Sequence, residues 1–250
     1  MPLDRTRKAP SEIGGSSSRR FVKLPSVNIS VIIPVLNEAP LVTDAIRRAW
    51  DAGANEVIVC DGGSVDDTVA LARKQQCLLL KSLPGRAIQQ NLGAAASRGD
   101  VVLFLHVDTW LLPRAVDQIH LALRYRHIQG GAFRQRIESA GTGYRLLEWG
   151  DRARVQLFGL AYGDQGIFLR REFFEHLGGF PEVPIMEDVR LMRKFRKEVR
   201  PILLPGPLFV SPRRWQKHGI LHQTLRNWSL LAAEKMGVSP RRLARFYHPR

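Results

Sequence analysis

The chain has 250 residues, a formal net charge of +15 and a sequence pI of about 10.8. Its hydrophobic fraction of 44% is ordinary for a globular protein, and no stretch reaches the ~20 apolar residues that a membrane span needs. The polar, basic N-terminus is unlike a secretory signal. Cys60 and Cys77 lie in apolar runs, which favours buried thiols in a reducing, cytoplasmic compartment over a disulfide or a metal site.

The first half of the chain alternates apolar strands with amphipathic helices. Residues 1–27 predict a flexible basic arm, and the β-branched run "ISVIIPV" then precedes a helical pattern that stops at Gly53. The apolar runs "EVIVC", "CLLLKS" and "DVVLFLHV" alternate with predicted helices over about 68–76 and 86–97. Such near-continuous apolar strands indicate a sheet covered on both faces. The pattern predicts an α/β fold with a mostly parallel, doubly wound sheet.

The second half is less regular. Its strand candidates are "GGAFRQRI", "QGIFLRR", "PILLP" and "LFVSPRRW". Helices are predicted over about 144–160, at "EFFEHLGGF", at "EDVRLMRKFRK" and over 220–236. No internal repeat is visible in the sequence.

Polar residues follow three of the predicted parallel strands. They are Asn37 and Glu38 after the first strand, Asp61 and Gly62 after the second, and His106 and Asp108 after the fourth. Because ligands of open α/β sheets bind beyond the carboxyl ends of the strands, we expect these residues to share one rim.

The acids of "CDGGSVDDT" divide into two groups. Asp61 stands where the chain leaves its strand, beside glycines that allow close approach of a ligand, and its carboxylate suits the two hydroxyls of a ribose. Asp66 and Asp67 are expected to cap the helix that follows.

Asp108 has two interpretations. A carboxylate at the end of a buried strand is costly without a partner, and a divalent cation that bridges a diphosphate is one such partner. The other interpretation is a cap for the helix that "LLPRAVDQI" predicts. Both stay open on the residues alone.

Three further stretches carry candidate ligand contacts. "PGRAIQQN" is not a P-loop, but Arg86 at its helix start is placed to bind phosphate or a base edge, with Gln89 and Asn91 behind it. Glu187 and Asp188 are either an acidic first helical turn or include a general base. Asp164 and Gln165 stand at the entry to a strand, where an acceptor hydroxyl could bind.

Four motifs in order, "SVIIPVLNE", "VCDGGSVDDT", "FLHVDT" and "IMEDV", resemble the family 2 glycosyltransferases with the GT-A fold. "PGRAIQQN", "YGDQGIFLRREFFEHLGGFPEVPIMED" and "SPRRW" are similar to a bacterial subgroup, the transferase 2 or arsenosugar-biosynthesis-type glycosyltransferases. The resemblance implies a nucleotide-diphospho-sugar transferase fold in one domain over 28–236. A donor half would cover about 28–112 and an acceptor half about 113–236, with a basic tail over 237–250.

The resemblance also implies the site. Pro34, Glu38 and Asp61 match the family's nucleoside contacts, and Asp108 matches its DxD metal motif, with His106 at the first position. The implied cofactor is therefore Mg²⁺ or Mn²⁺, held by one carboxylate fewer than usual.

In the second half, Asp188 of the ED pair inherits the role of base beside Glu187, which implies transfer with inversion to an acceptor hydroxyl. Arg213, Arg214 and Trp215 match an element whose basic residues hold the diphosphate. Trp149 and Tyr162 are candidate sugar platforms or core aromatics. The implied acceptor is a small molecule or a lipid.

Two other classes of protein are alternatives to a glycosyltransferase. A nucleotidyltransferase usually needs a glycine-rich, lysine-bearing phosphate loop, and "PVLNEAPL" has neither residue. A non-catalytic basic protein would bind nucleic acid or a membrane: residues 211–250 hold nine Lys or Arg and one acid. No recognised nucleic-acid module is present, so we expect no specific nucleic acid but peripheral contact of the tail with anionic lipid at the inner membrane face.

Overall fold

The structure of the protein is a computed structural model that describes residues 27–247, apart from the side chains of Arg214, His218 and Tyr247. The flexible arm predicted over residues 1–27 thus lies almost wholly outside the described residues. The described strands form one eight-stranded sheet in the order β3-β2-β1-β4-β7-β6-β8-β5. The strands are β1 (Ile29–Val35), β2 (Glu56–Asp61), β3 (Leu78–Lys81), β4 (Val101–Phe104), β5 (Thr109–Leu111), β6 (Gly130–Ile137), β7 (Phe168–Arg170) and β8 (Ile202–Val210).

Helices connect and follow these strands. They are α1 (Ala39–Asp51), α2 (Thr68–Ala72), α3 (Arg86–Ala96), α4 (Asp117–Ala122), α5 (Thr142–Phe158), α6 (Arg171–His176), α7 (Glu187–Glu198), α8 (Arg213–His218), α9 (Ile220–Lys235) and α10 (Pro240–Tyr247). A short 3₁₀ helix, Gly163–Gln165, precedes β7.

The first four strands are parallel, as the apolar runs predict. Val35 at the end of β1 pairs in register with Asp61 at the end of β2, so both strands finish at one level of the sheet. β4 pairs with the other side of β1 and ends at the same edge. This register brings the polar residues that follow the three strands to a common rim.

The second half adds both orientations to the sheet. β7 is antiparallel to β4 and to β6, β8 is parallel to β6, and β5 is antiparallel to β8. The two short strands predicted at "PILLP" and "LFVSPRRW" are wrong as separate elements, since one strand, β8, runs through the first stretch and ends at Val210. The last three residues of "LFVSPRRW" lie in α8 instead. The Pro-Gly-Pro interruption between the two stretches coincides with a register shift against β6, which lets one strand continue past it.

Helices cover both faces of the sheet. One apolar cluster joins β1 to α1, α2 and α4 through residues such as Ile33 and Ile46, and another joins the sheet to α3, α5, α6 and α7. At Gly93 of α3 an added Cβ would lie 2.5 Å from Ile32 Cγ2 and 2.9 Å from Cys60 Sγ. The helix therefore packs against β1 and β2 at a distance that only glycine permits.

The C-terminal segment is helical where the sequence suggests a tail. In α10, Leu243 is buried against Ile185 and against Leu230 of α9. Its hydrophobic positions follow helical spacing, but basic residues surround them and mask the pattern in the sequence. Within the described residues, no helix is long and apolar enough to cross a membrane.

Candidate active site

The loops that follow β1 and β2 are tied to each other. The Asn37 N–H donates to Ser64 Oγ over 2.8 Å, and the Val65 N–H donates to Asn37 Oδ1 over 2.9 Å. Asn37 adopts a positive φ of 54°, which asparagine tolerates better than most residues. The Gly62 N–H donates to the Val35 carbonyl over 3.0 Å, so the two strand ends form one fixed platform.

Asp61 is buried at the end of β2 and organises its own loop. Its carboxylate accepts hydrogen bonds from the Gly63 N–H and the Ser64 N–H, both near 3.1 Å. Of the two predicted caps, Asp66 accepts from the Thr68 N–H at 3.0 Å, and Asp67 occupies the N-cap position of α2 but makes no side-chain cap hydrogen bond there.

Gln89 and Asn91 hold the fold together. Gln89 Nε2, in α3, donates to the Val35 and Cys60 carbonyls over 2.8 and 2.7 Å and so connects the ends of β1 and β2. Asn91 bonds both backbone groups of Phe180, each at 2.9 Å. Neither side chain lines the cavities described below, and no geometry supports their predicted role as nucleotide-sugar contacts.

Arg213 connects two strand ends across the rim. Its Nη2 lies 3.1 Å from Asp108 Oδ2 and 3.4 Å from Glu38 Oε1, so one guanidinium bridges the carboxylates that follow β4 and β1. Asp108 is 9% exposed, and the Ser211 N–H donates to its carbonyl over 3.2 Å. Thr109 lies in β5, so Asp108 does not cap a helix there, and the alternative interpretation is wrong.

A divalent cation fits Asp108 only together with a ligand. Among the described residues, no group of three or more His, Cys, Asp or Glu side chains is placed to hold a metal. Mg²⁺ and Mn²⁺ bind through one or two carboxylates when phosphate oxygens and waters complete the shell. Asp108, with His106 nearby in the same cavity, meets that requirement once a diphosphate is present.

The 3₁₀ helix places Gly163 against two site residues. Its N–H donates to Asp188 Oδ2 over 2.6 Å, and a Cβ added here would lie 2.9 Å from His106 Nε2 and 3.3 Å from Asp188 Oδ2. Asp188 Oδ1 also accepts from the Val189 N–H at 2.7 Å. The carboxylate is thereby held beside the imidazole of His106, although the two residues are 82 positions apart in the sequence.

Glu187 is buried at the start of α7, with Arg86 Nε 3.7 Å from its Oε1. Burial raises the pKa of the Glu187 carboxyl to about 7; Arg86 opposes the rise and Asp188 adds to it. A carboxyl that titrates near neutral pH in a cleft is typical of functional sites.

Gln165 is buried and supports the same loop. Its Oε1 accepts from the Tyr162 N–H at 2.9 Å and from Arg154 Nη2 at 2.7 Å. The Arg154 guanidinium lies over the Tyr162 ring, 3.3 Å from the ring centre. Asp164 accepts from Gln135 Nε2 of β6 over 3.1 Å. Asp164 reaches the cavity directly, whereas Gln165 acts through the position of Tyr162.

A cavity of about 140 Å³ lies among these groups. Its lining includes Arg86, His106, Tyr162, Asp164, Glu187 and Asp188, and residues of α9 such as Asn227. A neighbouring cavity shares His106, Asp164 and Asn227 with it and continues to Asp108 and Trp215. The two cavities adjoin through these shared lining residues, and the pair, which extends from Asp188 to Asp108, is called the cleft below.

The remaining predicted residues lie apart from this cleft. Pro34 is buried within β1 opposite Cys60. Trp149 is 67% exposed and lines a separate groove with arginines of β6 and α5, so it is not a core aromatic. The side chain of Arg214 lies outside the described part of the structure.

The residues that sequence reasoning missed come from α9. Asn227 lines both cavities and the buried Gln223 lines the second. The signal in the sequence is their position on the helix: at 100° per residue, both amides lie within roughly 60° of Leu230, on the face that is buried.

The fold is of the GT-A type, since solved structures of glycosyltransferases have the same architecture. The mannosyltransferase PcManGT of Pyrobaculum calidifontis, in complex with GDP-Man and Mn²⁺, aligns with a TM-score of 0.58 at 20% identity, over 73% of this chain and 56% of that one. S. aureus TarS, residues 1–349 with UDP-GlcNAc, aligns with a TM-score of 0.58 at 16% identity, over 74% of this chain and 58% of that one.

The sequence assigns the family. A model of glycosyl transferase family 2 matches residues 30–178, more than half of the chain, and the chain belongs to that family. Glucosyl-3-phosphoglycerate synthase of Mycobacterium tuberculosis is 31% identical over 121 residues, which are 43% of this chain and 36% of that protein. The chain thus spans about a third of that relative's length. The narrower resemblance to the arsenosugar-biosynthesis-type subgroup stays a prediction.

The synthase has also been solved with Mn²⁺, UDP and glucosyl-3-phosphoglycerate. That structure aligns with a TM-score of 0.52 at 21% identity, over 74% of this chain and 71% of that one. At this identity the likeness supports the fold and not the substrate.

Proposed function

We propose that the chain transfers a sugar from a nucleotide-diphosphate donor to an acceptor hydroxyl, with inversion at the anomeric carbon. The observation that carries the proposal is the pair of adjoining cavities that have His106 in common, one lined by Asp108 and the other by Asp188. A diphosphate at one end and a base at the other are the two requirements of a direct displacement.

The donor would lie along the rim. The platform formed by Asn37, Asp61 and Gly62 would support the nucleoside, and Arg213 would face the diphosphate beside Asp108. As the bond to the anomeric carbon breaks, negative charge grows on the diphosphate oxygens, and a fixed guanidinium stabilises it there. The metal-bound relatives support a divalent cation in the mechanism, and Asp108, with His106, would hold Mg²⁺ or Mn²⁺, which would offset the same charge.

Asp188 would act as the base. Its Oδ2 accepts a hydrogen bond from the Gly163 N–H, which fixes the position of the carboxylate at the cavity. The acceptor hydroxyl, bound near Asp164, would give its proton to Asp188 as its oxygen attacks the anomeric carbon. One base and one displacement invert that centre, unlike the paired carboxylates of retaining hydrolases.

The division into a donor half over 28–112 and an acceptor half over 113–236 belongs to this proposal, as does a small-molecule or lipid acceptor. A cytoplasmic location, with contact of the C-terminal segment at the inner membrane face, is likewise proposed. Its support is the excess of Lys and Arg after residue 210.

The test is the nucleotide product. The chain is incubated with UDP- and GDP-sugars, with Mn²⁺ or Mg²⁺ and a panel of hydroxyl acceptors, and phosphorus NMR follows the products. Release of nucleoside diphosphate, absent with Asp188→Asn, supports sugar transfer. Pyrophosphate release from nucleoside triphosphates would instead establish a nucleotidyltransferase, and a salt-sensitive nucleic-acid complex without turnover would favour the non-catalytic alternative.

A further inference from the structure

Helix α9 exposes an apolar stripe on its outer side. Leu221 is 78% exposed, Leu225 62% and Trp228 65%. At 100° per residue, these three positions fall within an arc of roughly 60°. Large apolar side chains that form one contiguous exposed stripe are typical of an interaction surface, whereas single exposed apolar residues are not.

The opposite side of α9 is buried, so its orientation is fixed. Gln223, Leu230 and Glu234 are all less than 9% exposed. Glu234 of α9 meets two arginines of α7, with Arg190 Nη2 3.1 Å from Oε1 and Arg193 Nη1 2.5 Å from Oε2. Rotation of α9 would break these ion pairs. The apolar stripe therefore stays on the outer surface and cannot turn inward to join the hydrophobic core.

The charge around the stripe is positive. Exposed basic residues precede α9, end it and follow it in α10: they are Lys217, Lys235, Arg241, Arg242 and Arg245. Residues 211–250 hold a single acid, Glu234, and the two arginines of α7 already neutralise it. The surface therefore complements an anionic partner and repels a second copy of itself.

We propose that the outer stripe of α9 binds the surface of an anionic phospholipid bilayer. Leu221, Leu225 and Trp228 would enter the boundary between headgroups and acyl chains, where tryptophan is favoured, and the basic residues would contact lipid phosphates. An apolar helical face flanked by Lys and Arg is the pattern of an interfacial helix rather than of a spanning one.

The arrangement places the cleft close to the lipid. Asn227, Leu230 and Leu231 on the inner side of α9 line the cavity beside Asp188. The cleft would thus lie about one helix diameter, ~10 Å, from the bilayer surface. This inference deepens the membrane contact proposed above by assigning it to one face of α9, and it does not depend on sugar transfer, since binding is measured without a donor.

Vesicle flotation tests the proposal. The full chain is mixed with vesicles of phosphatidylcholine alone or with a quarter of phosphatidylglycerol, at low and high salt. We expect binding to the anionic vesicles at low salt, reduced at least tenfold by Leu221→Gln/Leu225→Gln. Leu121→Gln is the matched control, because Leu121 of α4 is 58% exposed on another helix, and we expect it to bind like the unchanged chain.

Tryptophan fluorescence gives a second measure of membrane binding. It is made on the unchanged chain, so an effect of the leucine substitutions on folding cannot influence it. Brominated acyl chains should quench the emission of the unchanged chain, and the quenching should be lost in Trp228→Phe. The proposal is overturned if anionic vesicles fail to float the chain, or if the double variant binds as well as the control. It is equally overturned if light scattering finds a lipid-free dimer that the double variant abolishes, since the stripe would then join two copies.

Discussion

Arg213 lies against Asp108, with Nη2 3.1 Å from Oδ2, at the point where the family resemblance implies a metal ligand. The same nitrogen lies 3.4 Å from Glu38 Oε1. A fixed positive charge at Asp108 does two things: it favours a diphosphate, and it competes with a divalent cation for the carboxylate.

Replacement of Arg213 separates these two effects. Arg213→Ala should weaken nucleoside diphosphate binding in the absence of metal. With UDP at saturation, Mn²⁺ should bind Asp108 more tightly in this variant, by up to about fivefold or 1 kcal/mol for a partly exposed pair. Thermal-shift titrations with UDP and with Mn²⁺ measure the two affinities. Arg126→Ala, at an exposed arginine elsewhere, should change neither. Weaker Mn²⁺ binding in Arg213→Ala would show that the arginine supports the metal rather than competing with it.

The role of Asp188 as base has a kinetic consequence. Asp188→Asn should lower turnover by about 10²–10⁴, because the amide cannot take the acceptor proton, while an amide oxygen can still accept from the Gly163 N–H. UDP affinity should stay the same, since the diphosphate end of the cleft is untouched. Turnover and nucleotide binding are measured on the same preparation. Unimpaired turnover would assign the base to another group.

Much of the donor side could be predicted from the sequence. Apolar runs that end in Asp61 and Asp108 indicate parallel strands and their polar ends, because period and burial are local properties of the sequence. The parallel register of β1, β2 and β4 confirms the expected common rim.

The other side of the cleft depends on contacts that local patterns do not encode. Gly163 meets His106 and Asp188 through packing between distant segments. Asn227 reaches the cavity from α9, which ion pairs of Glu234 and the burial of Leu230 hold in place. Likewise Gln89 looks like a ligand contact in the sequence, but two strand-end carbonyls occupy its amide. A polar residue that hydrogen-bonds buried backbone groups and one that binds a ligand have the same sequence pattern.

Gly163 has no room for a side chain. In Gly163→Ala the new Cβ would lie 2.9 Å from His106 Nε2 and 3.3 Å from Asp188 Oδ2, so one of these groups must shift. We expect turnover to fall by about 10²-fold, as small misplacements of reacting groups typically cause, with UDP affinity retained. Gly150→Ala is the control: nothing lies within 4 Å of its Cβ, and in the middle of α5 alanine should add about 0.5–1 kcal/mol of stability. Equal activity of the two variants would contradict the packing argument.

The raised pKa of Glu187 makes folding stability depend on pH. Its value in the folded protein is about 7, against an ordinary value of 4.5, and burial is the main cause. Below about pH 4.5 the carboxyl is protonated in both states. Between about 4.5 and 7 only the unfolded chain releases the proton, so the contribution of Glu187 to stability falls as the pH rises, and above about 7 it falls no further.

Glu187→Gln should remove this dependence, because a neutral amide replaces the protonated acid. Compared with the unchanged chain, the variant should gain unfolding free energy as the pH rises, by up to about 3 kcal/mol at pH 8, and should show little difference near pH 4.5. Urea unfolding at several pH values measures the gain. Glu182→Gln, at an exposed glutamate a few residues earlier, should follow the unchanged chain throughout. A constant offset between Glu187→Gln and the unchanged chain, from pH 5 to pH 8, would mean that Glu187 does not titrate with a raised pKa in the folded protein.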